Sequence, residues 1–541
     1  MRETKYIFVT GGVCSSLGKG IATASIGALL KASGFKVFTQ KLDPYINVDP
    51  GTMNPFQHGE VYVLSDGSET DLDLGHYERF VGENLTEISS VSTGKIYSHV
   101  IAEERKGTYL GGTIQIIPHI TNAIKKKIKD AGKKSGADIV LVEIGGTTGD
   151  IEGLPYLESI RQLRHELGHI NTLYVHLTLL PYLAGSKELK TKPTQASVRE
   201  LRATGIQPDF ILARADHPIH KDLLKKIALF CDVDENCVIP APTVHSIYEV
   251  PLKFQEHNLA QLIAKKLYLG KIRPNLKDWI ELNDKIKARR DKLTIALVGK
   301  YTGLDDSYLS VMESLRIACY HQKKDLDIVW IDSEKLESHD KEAWKLLKSA
   351  KGIIVPGGFG TRGTGGMVMT AKYCRENRVP YLGLCLGMQI QTIEFTRHVF
   401  QDERYTSEEF DDENKLSPEF YVIHFMPGQY KERDKGGTLR LGAYPCRLTK
   451  GTKTYRLYNK EMIEERHRHR YEYNNVFRKK LEKAGLLTAG IFPEGNLVEI
   501  VEMRNHPFMV GCQFHPEFLS RPNKPHPLFK GFIEASGKNK V

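Results

Sequence analysis

The most constraining feature of this chain is an apolar run that stops dead in a glycine-rich turn. Tyr6 to Thr10 is followed by Gly11-Gly12-Val13-Cys14-Ser15-Ser16-Leu17-Gly18-Lys19-Gly20. Beyond the turn, Ile26, Leu29 and Leu30 keep the i, i+3, i+4 spacing of a helix with one buried face. Gly34 punctuates that helix, and Phe35 to Lys41 returns as a strand. Strand, helix and strand in this order make a parallel crossover unit. A further run, Ile139 to Ile144, is apolar throughout and enters Gly145-Gly146. An uninterrupted apolar strand suits a parallel sheet covered on both faces. The spacing therefore predicts an α/β fold with a P-loop or Rossmann-like parallel sheet in the first half.

At 541 residues the chain is too long for one ordinary core. The stretch from Gly270 to Asp291 turns polar and charged, with a proline near its start, and reads as a partly helical linker. A fresh strand, Leu293 to Val298, opens a second half. Strands recur at Ile328 to Ile331, Gly352 to Val355, Tyr381 to Cys385 and Met509 to Phe514, with helical patterns between the first four. The expected division is 1–269, a linker at 270–292, and a second α/β domain at 293–541, both sheets being mainly parallel.

Composition narrows the class. Hydrophobic residues make up 40% and charged residues 26%, as in globular proteins. No apolar run approaches the roughly 18 residues of a membrane span. The N-terminus enters a strand pattern at once, without a signal-peptide core. The expectation is a cytoplasmic enzyme with no membrane partner. The net charge of +10 is scattered, and its densest run, Lys125 to Lys129, reads as the solvated face of an amphipathic helix. That favours small polyanions over nucleic acid as partners. The eight cysteines include no CxxC pair, which argues against a zinc site and against a disulfide framework.

The turn after the first strand has the makings of a phosphate site. Glycines let backbone N–H groups approach phosphate oxygens, the next helix presents its positive end, and Lys19 adds a mobile charge. The loop departs from the standard P-loop: Gly20 stands where a Ser or Thr normally binds magnesium. Carboxylates must then hold the metal. Glu143, at the end of its strand, and Asp73, in the acidic stretch Glu69 to His76, are the candidates. Lys41 could supply a second charge. Lys190-Thr191-Lys192-Pro193-Thr194-Gln195 packs cations, hydroxyls and an amide into six residues and could hold a second anion.

The second half carries a different chemistry. Gly383-Leu384-Cys385-Leu386-Gly387 follows an apolar strand and precedes a helix. Small residues around a nucleophile permit a sharp strand-to-helix elbow, and the helix N-terminus favours a thiolate. A nucleophilic cysteine needs a base, and the base needs an orienting group. His515-Pro516-Glu517 supplies both. Val355-Pro356-Gly357-Gly358-Phe359-Gly360 offers backbone N–H groups for an oxyanion. One more segment stands out, Glu465-Arg466-His467-Arg468-His469-Arg470-Tyr471-Glu472. Its bland reading is a solvated basic edge strand; its functional reading is a carboxylate contact by an arginine such as Arg470. Histidine density points to a metal, but the sequence shows no cysteine or carboxylate cluster to support one.

Together these motifs resemble the CTP synthases, class I glutamine amidotransferases fused to a P-loop amidoligase domain. YIFVTGG, SSLGKG, KLDPYINVDPGTM, ETDLDLGHYERF, VEIGGT, GDIE, KTKPTQ, VPGGFG, GLCLGMQ, ERHRHRYE and QFHPEF occur in the family's order along nearly the whole chain. The resemblance implies that ATP phosphorylates O4 of UTP and that ammonia from glutamine crosses an internal tunnel to displace the phosphate. It implies that Ser16, Leu17, Gly18, Lys19, Gly20 and Ile21 contact ATP, with Lys41 assisting transfer, and that Asp73 and Glu143 hold Mg2+. Ser15, Asp150, Ile151, Glu152, Lys190, Thr191, Lys192, Pro193, Thr194, Gln195 and Lys226 would hold UTP, or CTP as feedback inhibitor. Cys385 would form the glutamyl thioester, with His515 as base and Glu517 orienting it. Gly358 and Leu386 would give oxyanion N–H groups, and Gly387, Met388, Gln389, Glu409 and Arg470 would complete the glutamine site. It further implies GTP activation, transmitted by a lid around Arg362 and the segment near His58, and a homotetramer that can build filaments.

Ala196, Thr148 and Cys14 depart from the family's usual histidine, valine and aliphatic residue. None is a proposed catalytic group. A P-loop amidotransferase acting on a carboxylate would lack the GDIE and KTKPTQ segments, and a GMP synthase needs an SGGxDS loop that is absent. An inactive, polymer-forming relative is the remaining alternative, and the presence of every proposed catalytic residue speaks against it.

Overall fold

A computed structural model describes residues 3–288, 290–411, 415–426 and 436–539. The chain forms two compact units. The first comprises Met1–Asp49 and Asp73–Ile286; the second comprises Pro50–Leu72 and Lys287–Val541.

The first unit is built on a seven-stranded sheet. Its strands are β1 (Lys5–Gly11), β2 (Val37–Asp43), β3 (Ser90–Ser92), β4 (Ile139–Ile144), β5 (Thr172–Leu179), β6 (Phe210–Ala215) and β7 (Val238–Pro242). They lie in the order β7-β6-β5-β1-β4-β2-β3, and every pairing is parallel. Side chains of a strand alternate between faces, and both faces are covered. Ile7 and Val9 pack with Ile26, Leu29 and Leu30 of helix α1 (Lys19–Ala32). Tyr6 and Phe8 pack on the other side with Ile124, Ile128, Ile160 and Leu163. That double burial is why these strands read as unbroken apolar runs. Gly34, at φ +91°, lets the chain leave α1 in the left-handed region.

The segment expected as a partly helical linker is helical over about half of its length, and that helix is packed. Lys277–Lys287 is helical, with Trp279, Leu282 and Ile286 buried. Trp279 meets the Phe80 and Tyr248 rings at 5.3 and 6.4 Å between centroids.

The second unit carries a nine-stranded sheet. Its strands are β8 (Asp291–Gly299), β9 (Lys324–Asp332), β10 (Gly352–Val355), β11 (Tyr381–Leu384), β12 (Arg440–Leu448), β13 (Met462–His469), β14 (Leu486–Phe492), β15 (Leu497–Met503) and β16 (Met509–Cys512). The order is β9-β8-β10-β11-β16-β15-β14-β12-β13. The first five are parallel, as the sequence led one to expect. The other four continue the sheet antiparallel.

Residues 50–72 were expected within the first domain, yet they pack into the second unit. Glu60 accepts from the backbone N–H of Ser310 at 2.9 Å, Tyr62 Oη donates to the Phe518 carbonyl at 2.8 Å, and Glu69 pairs with Arg468 at 2.8 Å. Among the described residues no helix is long and apolar enough to cross a membrane.

Candidate active sites

The strand-to-helix turn in the second unit is as tight as its residues allow. Cys385 sits at φ +50°, ψ −99°, directly before the helix Leu386–Phe400. A Cβ on Gly387 would stand 2.1 Å from the Val355 carbonyl oxygen, and one on Gly383 would stand 2.5 Å from the Gly387 carbonyl carbon. Only glycine fits at either position. The strained residue is the nucleophile candidate itself, which is where strain of this kind collects.

His515 follows β16 and is fixed at both ends. Its backbone N–H donates to the Arg466 carbonyl at 2.8 Å, and Nδ1 lies 2.7 Å from Glu517 Oε1. Nε2 is buried and has no partner apart from its interaction with the Cys385 thiol, so it stays available to the site. A Cβ placed on Gly357 would be 3.6 Å from Cys385 Cβ and 3.7 Å from His515 Nε2, so both groups face the same glycine. The Cys385 thiol donates to the Arg468 carbonyl at 3.7 Å and accepts from Gln513 Nε2 at 3.5 Å. Burial works against a charged imidazole at His515. The Glu517 carboxylate and the neighbouring Cys385 outweigh it and lift the pKa to about 10.

These groups open on a cavity of about 600 Å³, lined also by Gly358, Glu409, Arg470 and Tyr471. Glu409 accepts from the Gly360 N–H at 2.7 Å, and Arg470 donates to Thr438 Oγ1 at 2.9 Å. The cavity thus offers a carboxylate and a guanidinium on its wall, the pairing an α-amino acid requires. Leu386, Gly387, Met388 and Gln389 do not line it. The Gln389 amide instead donates to the Tyr471 carbonyl at 3.3 Å and to Gln513 Oε1 at 3.2 Å. Gly358 and Leu386 are neighbours, since a Cβ on Gly358 would lie 3.3 Å from Leu386 Cδ2.

Three more groups complete this site: Lys300, which lies outside every motif, and Gln513 and Phe518, which sit within QFHPEF but were given no role there. Lys300, just past β8, donates to the Phe359 carbonyl at 3.1 Å and also to Gly360, pinning the glycine loop. Burial lowers its pKa to about 8, against the pull of Glu409. Gln513 touches the thiol. Phe518 stacks on His515, with ring centroids 5.1 Å apart, and is itself braced by Tyr62. A lysine directly after an apolar strand was the only available signal for Lys300.

The arginine–histidine strand β13 is a sheet edge, but it is not solvated. Arg466, His467 and His469 are all buried. Residues 50–72 cover it: Arg466 donates to the Val63 carbonyl at 3.1 Å, and Arg468 to the Gly51 carbonyl at 3.0 Å. The alternate residues face inward. His467, His469 and Glu499 place ligand-type atoms within 4.8 Å of one another, so a carboxylate does join the histidines. Arg440 already supplies the cation there. Its Nη1 lies 2.7 Å from Glu499 and 3.3 Å from each imidazole. Burial first, and Arg440 second, hold both imidazoles well below their ordinary pKa.

In the first unit the loop after β1 shows why it breaks the P-loop pattern. A Cβ on Gly20 would lie 1.9 Å from Asp73 Oδ1. The Asp73 carboxylate fills the space a Ser or Thr would need. Asp73 pairs with Lys41, and Lys19 Nζ donates to the Gly146 carbonyl at 2.5 Å. Glu143 is buried and accepts from Tyr77 Oη at 2.5 Å. Burial, then repulsion from Asp73, raises its pKa to about 7. Burial lowers that of Lys19 against the pull of Glu143. Two hard oxygen donors that destabilise each other in a buried place, beside two lysines, fit a site for Mg2+ with polyphosphate.

Of the other expected nucleotide residues, Asp150 to Glu152 follow the carboxyl end of β4 and Lys190 to Gln195 follow that of β5, the side on which open α/β sheets bind ligands. Asp150 accepts from Thr147 N–H at 2.6 Å and Oγ1 at 2.8 Å, and Ile151 and Glu152 are exposed beside it. Lys190 pairs with Glu188. Lys192 opens helix α2 (Lys192–Ala203), its ammonium 5.9 Å from the Phe230 ring. Gln195 Nε2 reaches Thr191 Oγ1 at 3.1 Å. The hydroxyl of Thr194 is committed to the fold, donating to Thr178 Oγ1 at 3.0 Å and the Leu179 carbonyl at 3.1 Å. Lys226 is exposed on the helix Lys221–Cys231. Thr148 Oγ1 donates to the Gly11 carbonyl at 2.9 Å, a bond that valine could not make. In the second unit Arg362 donates to the Lys300 carbonyl at 2.6 Å and pairs with Glu334, and His58 pairs with Asp71 at 3.3 Å.

Comparison with known proteins bears on both halves. Residues 5–269 match the family model for the CTP synthase N-terminus, and residues 304–535 match that for class I glutamine amidotransferases. The CTP synthase of Roseiflexus sp. strain RS-1 is 58% identical over 535 residues, covering 99% of this chain and 95% of the relative. That of Carboxydothermus hydrogenoformans is 55% identical, covering 99% of each. Among solved structures, the Trypanosoma brucei CTPS glutaminase domain with bound acivicin is 36% identical, covers 46% of this chain and 95% of that one, and has a TM-score of 0.42. With both halves matched in order and relatives more than half identical from end to end, the chain belongs to the CTP synthase family.

Proposed function

We propose that this chain makes CTP by aminating UTP, with ATP activating the uracil ring at the first unit and Cys385 releasing ammonia from glutamine at the second. The observation that carries the reading is the pairing, in one chain, of a Cys–His–Glu site with a phosphate loop whose missing hydroxyl is replaced by Asp73.

In the glutaminase half, Glu409 and Arg470 hold the substrate's ammonium and carboxylate. Cys385 attacks the side-chain amide carbon, and backbone N–H groups of Gly358 and Leu386 receive the oxyanion. His515 takes the thiol proton of Cys385 as the sulfur attacks, is held as the cation by Glu517, and gives that proton to the leaving amide nitrogen, which departs as ammonia. It then takes a proton from the water that opens the thioester. In the synthetase half, Lys19 and the loop 15–21 bind the triphosphate of ATP, and Lys41 faces the transferring group. Asp73 and Glu143 would hold Mg2+, which neutralises charge on the phosphates when bound. Asp150 to Glu152, Lys190 to Gln195 and Lys226 orient UTP so that O4 meets the γ-phosphate. Ammonia then displaces phosphate at C4.

CTP feedback at the UTP residues, GTP activation through Arg362 and His58, and a cytoplasmic homotetramer complete the reading. Exposed Leu110, Leu229 and Phe230 supply apolar surface for self-association. The test is direct synthesis. With ATP, Mg2+ and UTP, the absorbance change of CTP formation is expected with either glutamine or ammonium as donor. If neither donor yields CTP, the reading fails.

A further inference from the structure

Beneath the phosphate loop lies a buried polar chain that the reaction as described does not use. Thr10, His176 and Ser197 are 2%, 0% and 5% exposed. Thr10 Oγ1 is 2.8 Å from His176 Nδ1, and His176 Nε2 is 2.8 Å from Ser197 Oγ. Thr10 is the penultimate residue of β1, which feeds the phosphate loop, His176 lies on β5, and Ser197 lies on α2, two residues beyond Gln195. The loop rests directly on this chain. A Cβ on Gly12 would stand 1.6 Å from Ser197 Oγ and 3.0 Å from His176 Nε2. The same helix is pinned to the same strand a second time, through Thr194 and Thr178.

We infer that His176 is a positioning residue that sets the ATP loop in register with the UTP helix, through Thr10 on one side and Ser197 on the other. The inference rests on the nucleotide assignments above. A buried imidazole with a hydroxyl at each nitrogen has one donor and one acceptor role to fill, and here both are filled. Burial, and then the charge of Lys19, hold its pKa near 3, so it stays neutral throughout the working range. It is thus a fixed strut rather than a titrating group. Losing either hydroxyl leaves a ring nitrogen buried without its partner, a penalty large enough to displace the loop or the helix. Because each end of the strut abuts a segment assigned to one nucleotide, the loss should register on both.

The test follows ammonia-dependent CTP synthesis with ATP and UTP titrated separately. Thr10→Val and Ser197→Ala are each expected to raise KM for both nucleotides by about tenfold, a size consistent with one buried hydrogen bond. Thr10→Ser, which restores the hydroxyl, should return both values to within about twofold of the parent. The double variant should be little worse than either single one, since both break the same chain. Glutamine hydrolysis measured without nucleotide serves as the control for the other active site and should not move. Unchanged KM values in variants that merely melt earlier would overturn the inference, as would a Ser197→Ala variant that affects UTP alone. A Lys19→Ala arm separates the two levels. Normal ammonia-dependent turnover in Lys19→Ala would sink the nucleotide assignments themselves. Its loss, together with normal KM values in Thr10→Val, would sink only the role given to His176.

Discussion

Two single residues set the chemistry at each site. At Gly20 the exclusion is steric: even a methyl would meet Asp73 Oδ1 at 1.9 Å, and Asp73 is held by Lys41. Gly20→Ala is therefore expected to reduce CTP synthesis at least about 100-fold with either nitrogen donor, by displacing the carboxylate proposed to hold Mg2+. Glutamine hydrolysis in the same variant should persist. At His515 the effect is electrostatic, with Glu517 holding the imidazole's pKa near 10 against burial. Its cation stabilises the fold fully below the ordinary 6.5, and that contribution is lost as pH rises through about 10. Glu517→Gln removes the opposing charge, so His515 releases its proton more easily. The alkaline limb of the pH profile for glutamine hydrolysis should move about one unit or more toward acid. The rate at neutral pH should also fall by at least about 100-fold, as the ring loses its orienting partner. The sequence exposed both positions, because a departure from a motif and an HisProGlu tripeptide are local. It did not expose Lys300, nor the role of Gln513 within QFHPEF, because these depend on carbonyls and a thiol that folding brings near them.

Among the elements, β13 does the most. One face carries Arg466 and Arg468 onto residues 50–72, and the other carries His467 and His469 onto Arg440 and Glu499. Its carbonyls at 466 and 468 receive the His515 N–H and the Cys385 thiol. Disturbing the inward face should therefore reach the cysteine. Arg440→Ala leaves Glu499 buried without its cation, a loss of about 3–5 kcal/mol. Thermal unfolding of the second unit should shift down accordingly, and glutamine hydrolysis should suffer more than ammonia-dependent synthesis. The alternation of this strand was visible in the sequence. Its burial was not, because the covering residues lie some 400 positions earlier, and Glu499 lies on a different strand. The antiparallel strands β12, β14 and β15 were missed because their patterns are interrupted, by Gly442 and Pro445 in β12, Gly490 in β14 and Glu499 and Glu502 in β15, a weaker signal than the unbroken apolar runs of the parallel strands.

At the scale of the whole molecule, two α/β cores and their order along the chain were legible from strand and helix periodicity. The fate of residues 50–72 was not. Periodicity shows that a segment will be buried, not which core will bury it, and this one leaves the first sheet after β2 to join the second unit. The packing of the helix Lys277–Lys287 was likewise masked by its charge, although Trp279 and Leu282 sit at the spacing of a buried face. The central claim is a division of labour between two active sites in one chain. The most direct test compares Cys385→Ala with Lys19→Ala in CTP synthesis from ATP and UTP, with glutamine and then with ammonium as donor. Cys385→Ala should lose synthesis from glutamine and keep it from ammonium, whereas Lys19→Ala should lose both. Equal loss of the two activities in Cys385→Ala, or normal ammonium-driven synthesis in Lys19→Ala, would contradict the account.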